Sequence, residues 1–190
     1  MRWKNFDEGA SCYYITSTFT DWMKLFRSSR VLQIVREEIT RATTECGAGT
    51  LAYVFMPEHL HLLTYLPEKD LIHRYCKLWR GRSARRIALY LEQETSFAPI
   101  PHGGGVLDAQ AVLNRMATHA HGTARHAVWK EQPRSMVVWS KPVVMQKIEY
   151  IHNNPVKRGL TSHPADWPFS SWRFYEGDGK SLLPIADWPE

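Results

Sequence analysis

Residues 51–66 run Leu-Ala-Tyr-Val-Phe-Met-Pro-Glu-His-Leu-His-Leu-Leu-Thr-Tyr-Leu, and their reading decides the fold. Residues 51–55 form a short apolar run, Met56-Pro57-Glu58 supplies a proline turn, and residues 59–66 return to strand-forming types. Upstream, residues 12–20 (CYYITSTFT) are rich in β-branched and aromatic side chains and read as a further strand. Asp21 is a candidate cap for a helix running to about Thr44, with Leu25, Phe26, Val31, Leu32, Ile34, Val35 and Ile39 as its apolar positions and Gly47 and Gly49 beyond its end. The chain thus opens in the order β-α-β-β, which supports an α+β fold built on an antiparallel sheet of four or five strands flanked by helices.

Beyond the second strand of that pair, residues 71–94 carry apolar residues at helical spacing, with Gly81 a weak point in the middle. Residues 95–105, with Pro99, Pro101 and three consecutive glycines, read as loop, residues 106–116 as a helix, and residues 128–139 as strand or irregular chain. Residues 142–153 read as a helix that must stop near Pro155. Trp167-Pro168-Phe169 and Trp172 read as an aromatic anchor for the tail. The chain divides into one domain over residues 1–175 and a tail over 176–190.

A chain of 190 residues with 44% hydrophobic residues is long enough for one compact domain with a sizeable core. No apolar stretch approaches the roughly 20 residues needed to span a bilayer, and Met1-Arg2-Trp3-Lys4-Asn5 leads into no apolar signal core, so a cytoplasmic, nucleoid-associated protein with no membrane partner is expected. Cys12, Cys46 and Cys76 are far apart and odd in number, which argues against a disulfide framework or a structural zinc site and for ordinary buried thiols. The formal net charge of +5 suggests an anionic partner. Arg74, Lys77, Arg80, Arg82, Arg85 and Arg86 fall within one acid-free run, a candidate phosphate-contacting face.

Two places carry candidate chemistry. On a strand, His59 and His61 share one face while Leu60 and Leu62 share the other, so the two imidazoles form half of a metal site or else a pair of solvent-facing histidines. His119 and His121 repeat the spacing without strand alternation, and are assigned to a solvated loop or helix end. On the helix before Pro155, Tyr150 and Asn154 lie one turn apart on one face, where a phenol can act beside an amide oxygen that reaches the same ion. Lys157 and Arg158 follow at once, as phosphate clamps or as a charge pair at the helix C-terminus.

FMPEHLHLL (55–63), EYIHNNPVKRGL (149–160) and ADWPFSSW (165–172) resemble the single-tyrosine HUH transposases of insertion-sequence type, and among them the REP-associated tyrosine transposases. YYITSTFTDWMKLF (13–26) resembles the family's first strand and the start of its first helix, so the resemblance spans residues 12–175. Residues 96–134 depart from the pattern and look like an insertion. The resemblance implies a ferredoxin-like or RRM-like HUH fold, with His59 and His61 as metal ligands on a central strand and Tyr150 as the nucleophile on a helix packed across that face. It further implies that Asn154 is a third, amide ligand, where insertion-sequence relatives usually carry Gln.

The implied function is cleavage and strand transfer of single-stranded DNA at sites flanked by REP-like hairpins, through a 5′-phosphotyrosine that leaves a free 3′-OH. A phenol ionises only near pH 10 in water, so such a nucleophile needs a divalent ion to polarise the phosphate. Two imidazoles suit Mn²⁺ as well as Mg²⁺, because Mg²⁺ prefers oxygen. Exchange of one phosphodiester for another needs no nucleotide cofactor. A monomer is favoured by the REP-associated resemblance, while insertion-sequence relatives act as dimers. Two other classes share these residues in part: a non-catalytic nucleic-acid-binding protein using an RRM-like sheet, and a replication-initiator or relaxase-type HUH nuclease.

Overall fold

The computed structural model describes residues 11–97, 107–122, 124–130, 132–138 and 140–187. The three consecutive glycines of the expected loop and the last residues of the tail lie outside them. Strands β1 (Ser11–Thr18), β2 (Gly49–Phe55), β3 (His59–Leu66) and β6 (Arg134–Val138) form one antiparallel sheet in the order β2-β3-β1-β6. Helix α1 (Ser29–Glu45) connects β1 to β2, and α2 (Leu71–Gln93) follows β3. This is the β-α-β-β-α-β ferredoxin-like order, and the α+β expectation holds with four strands rather than five.

Segment 96–134 is placed between α2 and β6. The short strands β4 (Ser96–Phe97) and β5 (Leu107–Asp108) pair with each other and lead into α3 (Ala109–Thr118), capped by the Asp108 carboxylate accepting from the Ala111 N–H at 2.6 Å. Its far end enters the main core: the Trp129 ring stacks on Phe19 at 4.2 Å, and the Trp129 indole N–H donates to Ser83 Oγ at 3.1 Å.

The sheet is covered on both faces, which explains why β2 and β3 are buried almost without a break rather than on alternate residues. One face, with Tyr13, Ile15, Tyr53, Phe55, Leu60 and Leu62, packs against Val35, Ile39, Tyr75 and Trp79 of α1 and α2. The other, with Cys12, Ala52, Val54 and Leu63, packs against Val144, Ile148 and Ile151 of α4 (Lys141–Lys157). All three cysteines are buried free thiols, and burial pushes Cys12 and Cys76 up to about 12.

Three helix boundaries differ from expectation. Asp21 does not cap α1: it sits in a short 3₁₀ turn at φ 53°, and Ser28 caps the helix instead, accepting from the Val31 N–H at 3.3 Å. Helix α4 runs through Pro155 to Lys157. Proline removes only one donor there, and the last turn closes by Arg158 N–H to Asn154 O at 3.1 Å and Leu160 N–H to Pro155 O at 2.9 Å. In the third case, regular helix spans 109–118 rather than 106–116 because Asp108 provides the cap.

The aromatic tail anchors as expected, along the outer edge of β2. Phe55 N–H donates to Phe169 O at 2.8 Å, the Trp167 indole donates to Phe55 O at 3.0 Å, and Ser171 N–H donates to Tyr53 O at 3.0 Å. These bonds satisfy an edge that would otherwise offer unpaired backbone groups to another chain. Short helix α5 (Trp172–Tyr175) follows, and Leu183 of the remaining tail is buried in the α1 side of the core.

Candidate active site

His59 and His61 stand on β3, next to the centre of the sheet, on the face covered by α4. Both are buried, at 6% exposure each, so the solvent-facing alternative is excluded. Their Nε2 atoms face each other at 3.2 Å. Each ring's other nitrogen is engaged: His59 Nδ1 lies 3.1 Å from Glu58 Oε1, and His61 Nδ1 lies 2.7 Å from Tyr14 Oη and 2.9 Å from Thr16 Oγ1. The ionised Glu58 carboxylate only accepts, so His59 donates from Nδ1 and presents the Nε2 lone pair to His61.

Burial, then the neighbouring His59 and the positive charges of Lys147 and Arg158, pulls His61 down to about 3, so its imidazole is neutral near pH 7. Burial of Glu58 raises its carboxyl, but the hydrogen bond from His59 and the charge of Arg158 outweigh that and hold it below the usual range. Arg158 donates to Glu58 Oε1 at 2.7 Å, which completes a chain Arg158–Glu58–His59. Arg158 is thereby tied to the histidine as well as exposed at the rim.

Helix α4 delivers the phenol. The Tyr150 ring stands edge-on to His61 at 5.7 Å and to Tyr14 at 6.1 Å, and the residue is 38% exposed. Lys157 Nζ lies 4.9 Å and Lys147 Nζ 5.8 Å from the Tyr150 ring. Asn154, one turn on, is buried, and its Oδ1 has no hydrogen-bond partner among the described residues. A buried acceptor left without a donor costs about 1–3 kcal/mol unless something positive meets it.

Two imidazole lone pairs and one orphaned amide oxygen suit a divalent ion. Two nitrogens held about 2.1 Å from one ion at near a right angle stand about 3 Å apart, close to the separation of the two Nε2 atoms. With no proton or cation between them, the two lone pairs would repel. Among the described residues no group of three or more His, Cys, Asp or Glu side chains is arranged to hold a metal ion.

The basic run of α2 is not brought to this site. It lies on the layer that covers the opposite face of the sheet. Arg82 makes a two-pronged pair with Glu45 at 2.8 and 3.0 Å, and Arg86 pairs with Glu37 at 2.5 Å and Glu38 at 2.7 Å. Arg80 is half-buried and donates to Lys130 O. The run lacks acids of its own because α1 supplies them across the helix interface. Arg74, Lys77 and Arg85 remain at the surface, away from Tyr150. His119 and His121 are exposed at and beyond the end of α3.

Sequence reading missed Tyr14, Thr16, Glu58 and Lys147. Glu58 and Lys147 lay within or beside the quoted motifs, but adjacency does not say which face or partner a side chain finds. Tyr14 and Thr16 reach His61 only through the β1–β3 register, in which Thr16 is opposite His61.

No protein-family model matches the chain. A REP-associated tyrosine transposase of Escherichia coli (strain K12) is 24% identical over 156 residues, covering 82% of this chain and 72% of its own length. A Haemophilus influenzae protein bearing the same family name is 25% identical over 185 residues, 97% of this chain and 90% of its own. Among solved structures, a REP-associated tyrosine transposase bound to a REP hairpin superposes with a TM-score of 0.63 at 16% identity, over 100% of this chain and 94% of that one. In sequence over most of its length, and in fold, the chain is related to the REP-associated tyrosine transposases.

Proposed function

We propose that the protein is a metal-dependent single-stranded DNA nuclease and strand transferase that acts beside hairpins and uses Tyr150 as its nucleophile. The observation that carries this reading is the convergence of His59 Nε2 and His61 Nε2 at 3.2 Å directly beside the Tyr150 ring. The relationship to REP-associated tyrosine transposases, one of them solved on a REP hairpin, supports hairpin-bearing DNA as the substrate class.

His59, His61 and Asn154 would hold the ion, which when bound supplies positive charge to polarise the scissile phosphate. Glu58, fixed by Arg158, keeps the His59 proton on Nδ1. Tyr14 and Thr16 orient His61. Lys147 and Lys157 place positive charge beside a phosphodiester bound at the phenol. Tyr150 Oη attacks phosphorus, the P–O3′ bond breaks, the phenolic proton passes to solvent, and the 3′-oxygen leaves as a hydroxyl after taking a proton. The product is a 5′-phosphotyrosine, and attack by another 3′-OH reverses the step without a nucleotide cofactor.

The test is incubation of end-labelled, hairpin-bearing single-stranded DNA with Mn²⁺ or Mg²⁺, followed by denaturing electrophoresis. A covalent adduct is expected from the wild type, absent in Tyr150→Phe and in His61→Ala. Persistence of the adduct in Tyr150→Phe, or none from the wild type with either ion, overturns the proposal.

A further inference from the structure

Among the described residues Trp22 is the largest hydrophobic side chain left in solvent, at 54% exposure, and its backbone lies in the left-handed region. Asp21 and Trp22 are the two non-glycine residues at positive φ among the described residues, both at 53°. Two consecutive L-residues in this region are strained, because the Cβ crowds the neighbouring backbone. Surrounding bonds hold the turn: Arg115 donates to the Asp21 carboxylate, with Nε at 2.9 Å, Thr20 N–H donates to Val128 O at 3.0 Å, and Trp22 N–H donates to Phe19 O at 3.2 Å. A segment fixed this firmly in order to expose an indole points to a ligand for the indole.

The surroundings identify that ligand. Trp22 stands edge-on to His59 at 6.5 Å, while Tyr150 stands edge-on to His61, so the indole and the phenol flank the imidazole pair from its two ends. Lys130 Nζ lies 4.3 Å from the centre of the indole ring, and Trp22 still keeps 54% of its surface in solvent. Trp22, Lys24, Pro57, Glu58, Arg158 and Leu160 line a cleft of about 420 Å³. Lys24 and Arg158 are exposed in that cleft, and Lys130, against the indole ring, is exposed as well. An open aromatic face among cations is the combination that single-stranded nucleic acid requires, a stacking surface for the base and positive charge for its phosphates.

Resting on the nuclease reading of the same site, we propose that Trp22 is the stacking platform for an unpaired nucleotide next to the scissile phosphate, with Lys24 and Lys130 holding its backbone. The strand would run across the histidine pair, with the cleaved phosphate at Tyr150 and the neighbouring base on the indole.

The test uses a hairpin with a single-stranded extension in which 2-aminopurine is scanned along the extension, bound to protein in the Tyr150→Phe background so that the strand stays intact. Fluorescence should be quenched at one position, with quenching lost in Trp22→Ala and retained in Trp22→Phe. Affinity for the extended hairpin should fall roughly 5- to 100-fold in Trp22→Ala, with affinity for the blunt hairpin unchanged. Equal quenching in Trp22→Ala, unchanged affinity for the extended hairpin, or equal loss on both DNAs overturns the inference. Adduct formation by protein with native Tyr150 separates the two claims. Trp22-dependent quenching without any adduct keeps the nucleotide site and removes the transferase. Adduct formation with an unimpaired Trp22→Ala variant does the reverse.

Discussion

Replacing Asn154 by Leu separates a metal ligand from a packing residue. Asn154 is 5% exposed and its Oδ1 is without a partner, so in the absence of metal it lowers stability. Leucine branches at the same carbon and carries no acceptor, so Asn154→Leu should raise metal-free stability by about 1–3 kcal/mol. For a chain of this size that is a gain of about 2–10 °C in melting temperature. The wild type should respond to Mn²⁺ in the opposite sense to its deficit, gaining about 2.7 kcal/mol at a hundredfold excess over the dissociation constant, and the Leu variant should lose most of that response. Differential scanning fluorimetry in EDTA and across a Mn²⁺ titration measures both. A melting temperature that falls in EDTA, or a Mn²⁺ response equal to the wild type's, refutes the assignment of Oδ1 as a ligand.

His152 is buried beside Ser171, with Nε2 2.9 Å from Ser171 Oγ, and burial pulls it down to about 4. The unfolded chain therefore binds a proton at higher pH than the folded one. Stability contributed by the neutral ring is complete above about pH 6.5 and is lost as pH falls toward about 4, at a total of about 3 kcal/mol. His61 titrates in the same direction, so the measurement is the difference between wild type and His152→Asn in urea melts at pH 7 and pH 4.5; equal slopes would count against it. Arg86→Ala strands Glu38, whose side chain is 5% exposed, and should cost about 1–3 kcal/mol, below the full buried-pair penalty because Arg86 itself is partly in water. Hairpin affinity should not change, and a loss of affinity with intact stability would return Arg86 to the DNA.

Much of the site was legible in sequence because strand alternation and helical repeat are local rules. The period of two puts His59 and His61 on one face, and a spacing of four puts Tyr150 and Asn154 on another. Local rules also place Leu60 and Leu62 against α1 and α2. They fail where a partner comes from elsewhere in the chain. The acid-free run 71–90 read as a phosphate face because its neutralising carboxylates, Glu37, Glu38 and Glu45, belong to a helix some 40 residues earlier. Asp21 read as a cap because the left-handed turn that sends it to Arg115 has no signature in residue type.

The sequence by itself determined the order of strands and helices, the pairing of two imidazoles on one strand and the single tyrosine set four residues before an asparagine. Those features depend on contacts between near neighbours, which composition and spacing encode. Only the tertiary structure decided that the two Nε2 atoms meet, that Glu58 and Arg158 lie behind one ring and Tyr14 and Thr16 behind the other, and that the positive charge nearest the phenol is Lys147 and Lys157 rather than the α2 run. Each of these turns on which face of the sheet a helix covers. That choice is set by the register of β1 on β3 and by burial summed over the whole core, which no short stretch of chain contains.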